Sequence, residues 1–260
     1  MMFCLAACSD DARTAWTSVL KKCAVSDLTG SSIMYFGPSN AIGPGSIWRK
    51  DDDGSFRLRY ALSDMPDPKA FFKQQKEFQC DGSAETKFSL KAAAGLSSSI
   101  SPMSADLSND FQKAKSITVK ANSARWDLVS EGPYENYIDS LPSGNGAKTD
   151  LKEKAGRFVM YQALLIKGFS AELEFSDSDV ASLKGKYSGA IAKSITGDLT
   201  ASLDAQWSSD NKLTLTSTDD FYVAGQLVPF SATGWAAGGG SRFGKPEDLG
   251  SKPVITRENP

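Results

Sequence analysis

The stretch Arg157–Phe175 reads R-F-V-M-Y-Q-A-L-L-I-K-G-F-S-A-E-L-E-F. Its first half, Phe158–Ile166, is almost continuously apolar and β-favouring, the pattern of a strand covered on both faces. Past Gly168 the pattern changes. Phe169, Ala171, Leu173 and Phe175 alternate with Ser170, Glu172 and Glu174, as in a strand with one wet face. The glycine between the halves is placed for a bulge or bend. A strand buried on both faces needs partners on its edges and covers on its faces, and the rest of the chain is read as supplying them.

The neighbours alternate too. Ile117, Val119 and Ala121 share one parity against Thr118, Lys120 and Asn122. Across 84–100, Phe88, Leu90, Ala92, Ala94, Leu96 and Ile100 share a parity, which predicts a long amphipathic strand. Leu199, Ala201, Leu203, Ala205 and Trp207 repeat the pattern. Asp210-Asn211 reads as a turn, Leu213 and Leu215 pair back, and Phe221–Phe230 is a last apolar strand. Nearer the start, Ile33–Phe36 is a short strand. Ile47–Lys50 and Ser55–Tyr60 flank D-D-D-G as a hairpin, without the D-x-D-x-D-G spacing of a calcium loop.

Helices are expected in three places. Trp16, Val19, Leu20 and Cys23 fall on one face of Ala12–Val25. Lys69–Phe78 follows Pro68, and Tyr134, Tyr137, Ile138 and Leu141 follow Pro133. A looser helical spacing covers Val180–Ile195. Ser143–Gly146 reads as a loop and Asp150–Lys154 as a charged approach to the spine. With no β-α-β periodicity, the expected fold is α+β: a mainly antiparallel, β-rich single domain over 12–231 with two or three short helices. Residues 232–260 are Gly/Pro-rich and read as a flexible tail.

In 260 residues there are 29 Lys plus Arg, 31 Asp plus Glu and no histidine. A near-neutral chain without a basic block argues against nucleic acid as a partner. The missing histidines remove Ser-His-Asp and Cys-His machinery, His-ligated zinc and His-ligated haem. Acid–base chemistry would fall to carboxylates, Lys, Tyr or Cys. The paired acids, Asp51–Asp53, Asp177/Asp179 and Asp219/Asp220, all lie beside turn signals, where Asp bonds its own backbone. Ser97–Ser99 and Ser101, near Lys87 and Lys91, read as the wet face of a strand. No catalytic, cofactor-binding or metal-ligating residue is expected, and the chain is read as non-enzymatic.

The four cysteines are Cys4, Cys8, Cys23 and Cys80. Leu5–Cys8 reads L-A-A-C and resembles the bacterial lipobox, in which the cysteine carries the lipid. On that reading residues 1–8 are a leader, although no Lys or Arg precedes the short apolar run. Cys8 would attach the chain to membrane lipid in a bacterial cell envelope. In that oxidising setting Cys23 and Cys80 are either one disulfide or two buried thiols.

A second resemblance spans Ile117 to Phe230. R-F-V-M-Y-Q-A-L-L (Arg157–Leu165) is similar to the Y-V-V-T-E-x-L strand of the gasdermin pore-forming domain. Gln162-Ala163 stands where that family has Thr-Glu. F-Y-V-A-G-Q-L-V (Phe221–Val228) is similar to the family's F-R-V-A-Q-L-V, with Gly225 inserted. The resemblance implies a pore-forming protein with an acyl group on Cys8 or Cys4, and a C-terminal segment released by proteolysis. It also implies recruitment from the cytoplasm to the inner membrane.

Three expectations follow. The first is a lipid-anchored envelope protein with a non-enzymatic binding or structural role, toward a protein partner or its own copies. The second is a gasdermin-like pore former activated by loss of the tail. The third is a carboxylate-based hydrolase.

Overall fold

The computed structural model describes residues 17, 19–25, 30, 32–40, 42–65, 67–80, 86–88, 114–153, 156–186, 203–231, 241–249 and 255–257. Their strands are β1 (Ile33–Ser39), β2 (Ile47–Lys50), β3 (Phe56–Tyr60), β4 (Phe72–Gln79), β5 (Thr86–Phe88), β6 (Ser116–Lys120) and β7 (Ser123–Val129). There follow β8 (Arg157–Lys167), β9 (Ser170–Glu174), β10 (Leu203–Ser209), β11 (Lys212–Ser217), β12 (Phe221–Phe230) and β13 (Ile255–Arg257). The helices are α1 (Glu131–Ser140), α2 (Gly146–Glu153) and α3 (Asp177–Lys186), and residues 19–22 are also helical. The fold is α+β and mainly antiparallel, as the strand pattern predicts.

Two sheets share the work. The larger runs β1-β12-β8-β2-β3-β13, with β7 also on β8 and β4 on β7. The smaller runs β10-β11-β9-β6-β5. The spine strand β8 has β12 along one edge. Its other edge is divided: β2 takes Arg157–Val159 and β7 takes Gln162–Lys167. Its side chains reach all three hydrophobic clusters, Leu164 and Ile166 in one, Phe158, Met160, Ala163 and Leu165 in the second, Val159 in the third. That is why Phe158–Ile166 carries apolar residues at both parities.

The chain passes between sheets at Gly168. β6 and β7 run against β8 and β9 as one ribbon without a register shift. Ser116 faces Glu174, Lys120 faces Ser170, Ser123 faces Lys167 and Leu128 faces Gln162. Gly168 sits at the corner with φ 64°, and a Cβ there would collide with the side chain of Asn122 on the facing strand. Neither ribbon strand is free to slip, because a one-residue slip would turn every buried side chain outward.

β12 carries two register irregularities against β8, after Tyr222 and after Gln226. Gly225 lies between them. A Cβ at this position would come 2.8 Å from the Gln162 carbonyl oxygen and closer still to the Met160 sulfur. Gly225→Ala is therefore expected to destabilise the fold by about 1–3 kcal/mol through overpacking. A urea midpoint equal to the parent's would contradict this.

Two expectations are corrected. Lys69–Phe78 is not a helix. Pro68–Phe71 form one 3-10 turn and β4 follows. The helix-favouring run F-K-Q-Q-K-E-F-Q takes its hydrogen bonds from β7, from Phe72 opposite Val129 to Gln79 opposite Ser123, so tertiary pairing overrides local preference. Among the described residues β4 is an edge strand, and exposed Lys73 and Lys76 with a bulge between Gln74 and Glu77 suit an edge that resists further pairing. The second correction is α2, which occupies the stretch read as a loop and a charged approach. Asn145 caps it, its side-chain oxygen accepting from the Ala147 and Lys148 amides at 3.0 and 3.2 Å.

Candidate functional site

The smaller sheet has two faces of opposite character. Val119, Ala171, Leu173, Ala205, Leu213 and Leu215 point to one side and are buried. Thr118, Lys120, Glu172, Glu174, Asp204, Gln206, Thr214 and Thr216 point to the other and meet water to varying degrees. On the wet face Lys212 pairs with Glu172 at 2.8 Å, and Ser116 donates to Glu174 at 3.2 Å. The strands have five to seven residues apart from β5, fewer than the ~9–11 of a bilayer-crossing strand. The alternation predicted for Phe88–Ile100 and for 199–202 continues this pattern in sequence but lies largely outside the described residues.

The dry face is covered by short pieces. Val19, Leu20, Cys23 and Val25 pack on it from the first helical turn and its exit, and Leu183 from α3. Cys23 is fully buried and is disulfide-bonded to Cys80, the residue after β4. The bond ties the cover to the point where the chain leaves the larger sheet for β5. Cys8 and Cys4, the candidate lipid-bearing residues, lie outside the described residues, as does Trp16.

The described parts of the tail are docked rather than free. Residues 241–249 lie along the last third of β12. Among the described residues β1 pairs with β12 between Tyr222 and Gln226. The tail bonds beyond that span: Ser231 N–H donates to the Arg242 carbonyl at 2.8 Å, Gly244 N–H to the Pro229 carbonyl at 2.9 Å, and Glu247 N–H to the Leu227 carbonyl at 2.8 Å. Phe243 enters an aromatic pocket, its ring 5.2 Å from Phe230, 5.5 Å from Tyr161 and 5.7 Å from Tyr134. Three acids on one face of α1 receive the residues beside it. Ser241 donates to Glu131 at 2.7 Å, the Arg242 amide to Glu135 at 3.2 Å, and the Arg242 guanidinium forks onto Asp139 at 3.2 and 3.3 Å. Lys152 and Arg242 together hold the Asp139 carboxyl below its usual range. Farther on, Lys50 pairs with Glu247, Leu249 is buried, and β13 runs parallel to β3.

The acid pairs singled out in the sequence stand at separate turns. Asp51 accepts from Arg49 and Arg57 across the β2–β3 hairpin. Asp53 accepts from the Ser55 amide at 2.9 Å. Asp177 and Asp179 open α3, and Asp219 and Asp220 precede β12. Burial pushes the Asp220 carboxyl up. Ser97–Ser99, Ser101 and Lys91 lie outside the described residues. Among the described residues no group of three His, Cys, Asp or Glu is placed to hold a metal ion. No described helix is long and apolar enough to cross a membrane, which leaves strand-built crossings untouched.

The docking residues were not legible as a site. Glu131, Glu135 and Asp139 form an i, i+4, i+8 acidic stripe that a helix reading could have marked, but their partner lies about a hundred residues away in sequence.

No family model and no curated protein matches the chain. Among solved structures it is similar to a bacterial gasdermin from Bradyrhizobium tropiciagri. Identity is 11%, the match covers 95% of this chain and 100% of that chain, and the TM-score is 0.45.

Proposed function

We propose that the protein is a gasdermin-like pore former that does no enzymatic chemistry and is held inactive by its C-terminal segment. The observation that carries this reading is the two-faced smaller sheet, whose dry face is covered by short pieces from outside the sheet. Val119, Ala171, Leu173, Leu213 and Leu215 already form a dry aliphatic face at strand spacing. Turned toward lipid instead of toward the 19–25 cover and α3, that face meets the requirement for a barrel exterior. The strands need lengthening to reach across a bilayer. The connection 89–115 joins β5 and β6 at the Phe88/Ser116 end, and 175–202 leaves at Glu174 on that end and returns to β10 at Leu203 on the opposite end; these two supply the residues. Closure into a barrel with other copies would satisfy the new edges.

Acylation of Cys8, or of Cys4, would bring the chain to its membrane. One acyl chain gives only marginal binding, so a second contact is needed, and inserted strands provide it. The L-A-A-C tetrad also favours a second reading, a lipid-anchored envelope protein with a binding or structural role. Labelled palmitate that enters the wild-type chain but not Cys8→Ser supports the anchor in either reading. No incorporation in the wild type sinks it.

Dye-loaded liposomes separate the two readings. A protease site placed within 232–240 allows the tail to be cut on demand. Leakage is expected after cutting and not before. Cut protein that leaves both neutral and anionic vesicles intact defeats the pore reading.

A further inference from the structure

We infer that the edge of β12, the aromatic pocket and the acidic face of α1 together form a peptide-docking site that accepts an extended Arg-Phe segment in trans, supplied by the tail of a second copy of this chain. Three kinds of contact divide the recognition. The main chain of 242–247 lies along β12 beyond the residues paired with β1, through one antiparallel bridge, Phe230 opposite Phe243, and the bonds at Ser231, Pro229 and Leu227. Main-chain bonding at a sheet edge supplies affinity with little regard to side chains. Pro229 fits such an edge, because a proline in a sheet is tolerated where no ladder donor is required of it.

Side chains then specify the peptide. Phe243 is 8% exposed and touches three rings, so it is the anchor. Arg242 meets Asp139 with two parallel hydrogen bonds, a geometry lysine cannot reproduce. Ser241 bridges Glu131 to its own turn, also accepting from the Phe243 amide at 3.0 Å. The acids Glu131, Glu135 and Asp139 face a segment that places its positive charge against them. A peptide of the sequence S-R-F-G-K-P-E-D-L, residues 241–249, carries every one of these contacts.

In the intact chain the site is filled from within. A tethered segment acts at an effective concentration on the order of millimolar. A free copy cannot displace it at micromolar levels. Once the tether is cut that advantage ends, and any segment shed by one molecule becomes a ligand for the vacated site of the next. The cut tail is thus a soluble antagonist of the product of its own removal.

Release of the tail is part of the function proposed above. Peptide capture is read without a membrane, so leakage and capture can fail separately. The test uses full-length chains and a fluorescein-labelled peptide of residues 241–249, with binding followed by anisotropy. Arg242→Ala/Phe243→Ala in the full chain weakens its own segment and is expected to capture the labelled wild-type peptide, at least about 100-fold better than the parent chain. Adding Glu135→Lys and Asp139→Lys to that host is expected to lower capture by about 10-fold or more. Peptide carrying Arg242→Ala or Phe243→Ala should bind the first host about 10-fold more weakly than wild-type peptide. The single variant Arg242→Ala serves as a second host should the double variant not fold by circular dichroism. The assignment is overturned if a folded host captures no more peptide than the parent, or binds variant and wild-type peptides alike.

Discussion

Tyr134→Ala is expected to lower the free energy of unfolding by about 3–5 kcal/mol, the range for deleting a buried aromatic ring. Tyr134 is fully buried on α1. Its ring packs edge-on to Phe71 at 4.9 Å and to Phe230 at 6.1 Å, and also contacts Phe243. Its hydroxyl donates to the Gly45 carbonyl at 3.0 Å, which ties α1 to the turn before β2. Burial pushes the phenol well above its ordinary pKa, so it remains a neutral donor throughout the working range. Tyr134→Phe keeps the ring and removes the one hydrogen bond, for about 0.5–1.5 kcal/mol. Urea denaturation followed by circular dichroism distinguishes the two. If both variants lose the same small amount, the ring is not the keystone of this cluster.

The second large effect is electrostatic. Asp150 on α2 and Arg157 at the start of β8 are both nearly inaccessible, bonded at 2.8 and 3.1 Å, with Arg59 at 3.4 Å from the same carboxylate. Asp150→Ala leaves two guanidinium groups beside an uncompensated site and is expected to cost about 3–5 kcal/mol. The acidity works in one direction. Burial raises the Asp150 carboxyl, but the bonds and charges of Arg157 and Arg59 outweigh it and leave the group below its usual range. Its contribution is then fully present above the unfolded aspartate value of about 3.9 and is lost as pH falls through the lower folded value. Wild type and Asp150→Ala should therefore converge in stability as pH drops below about 4. A gap in urea midpoint that is the same at pH 7 and pH 3 would show that the carboxylate's charge is not the source.

What could be read from the chain beforehand is what short-range pattern encodes. β9 and β11 follow from alternation that depends on neighbours two residues apart, and β12 from an almost continuous apolar run. Gly168 announces the corner because the pattern changes there from an unbroken apolar run to alternation. β4 failed because Lys73 to Lys76 are exposed on both faces, so no period survives, and its strand state comes from β7. α2 was missed although Asn145, Ala147 and Leu151 carry the cap and the i, i+4 contact of a short helix. The docked residues of the tail were illegible for a different reason. Gly and Pro set its composition, while Arg242 and Phe243 acquire meaning only against acids and rings that arrive from another part of the sequence.

The divided edge of β8 has a consequence for how the chain is made. β2 and β7 precede β8 in sequence and are ready to pair as it emerges from the ribosome. β12 follows only after β9, α3, β10 and β11. At roughly 5–20 residues per second, one whole edge of the most aliphatic strand waits unpaired for seconds. Non-local sheets of this kind are slow to close and prone to association while open. The same strand that organises the finished protein is therefore its principal hazard during synthesis, and a nascent chain stalled before Phe221 is the species a chaperone would have to hold.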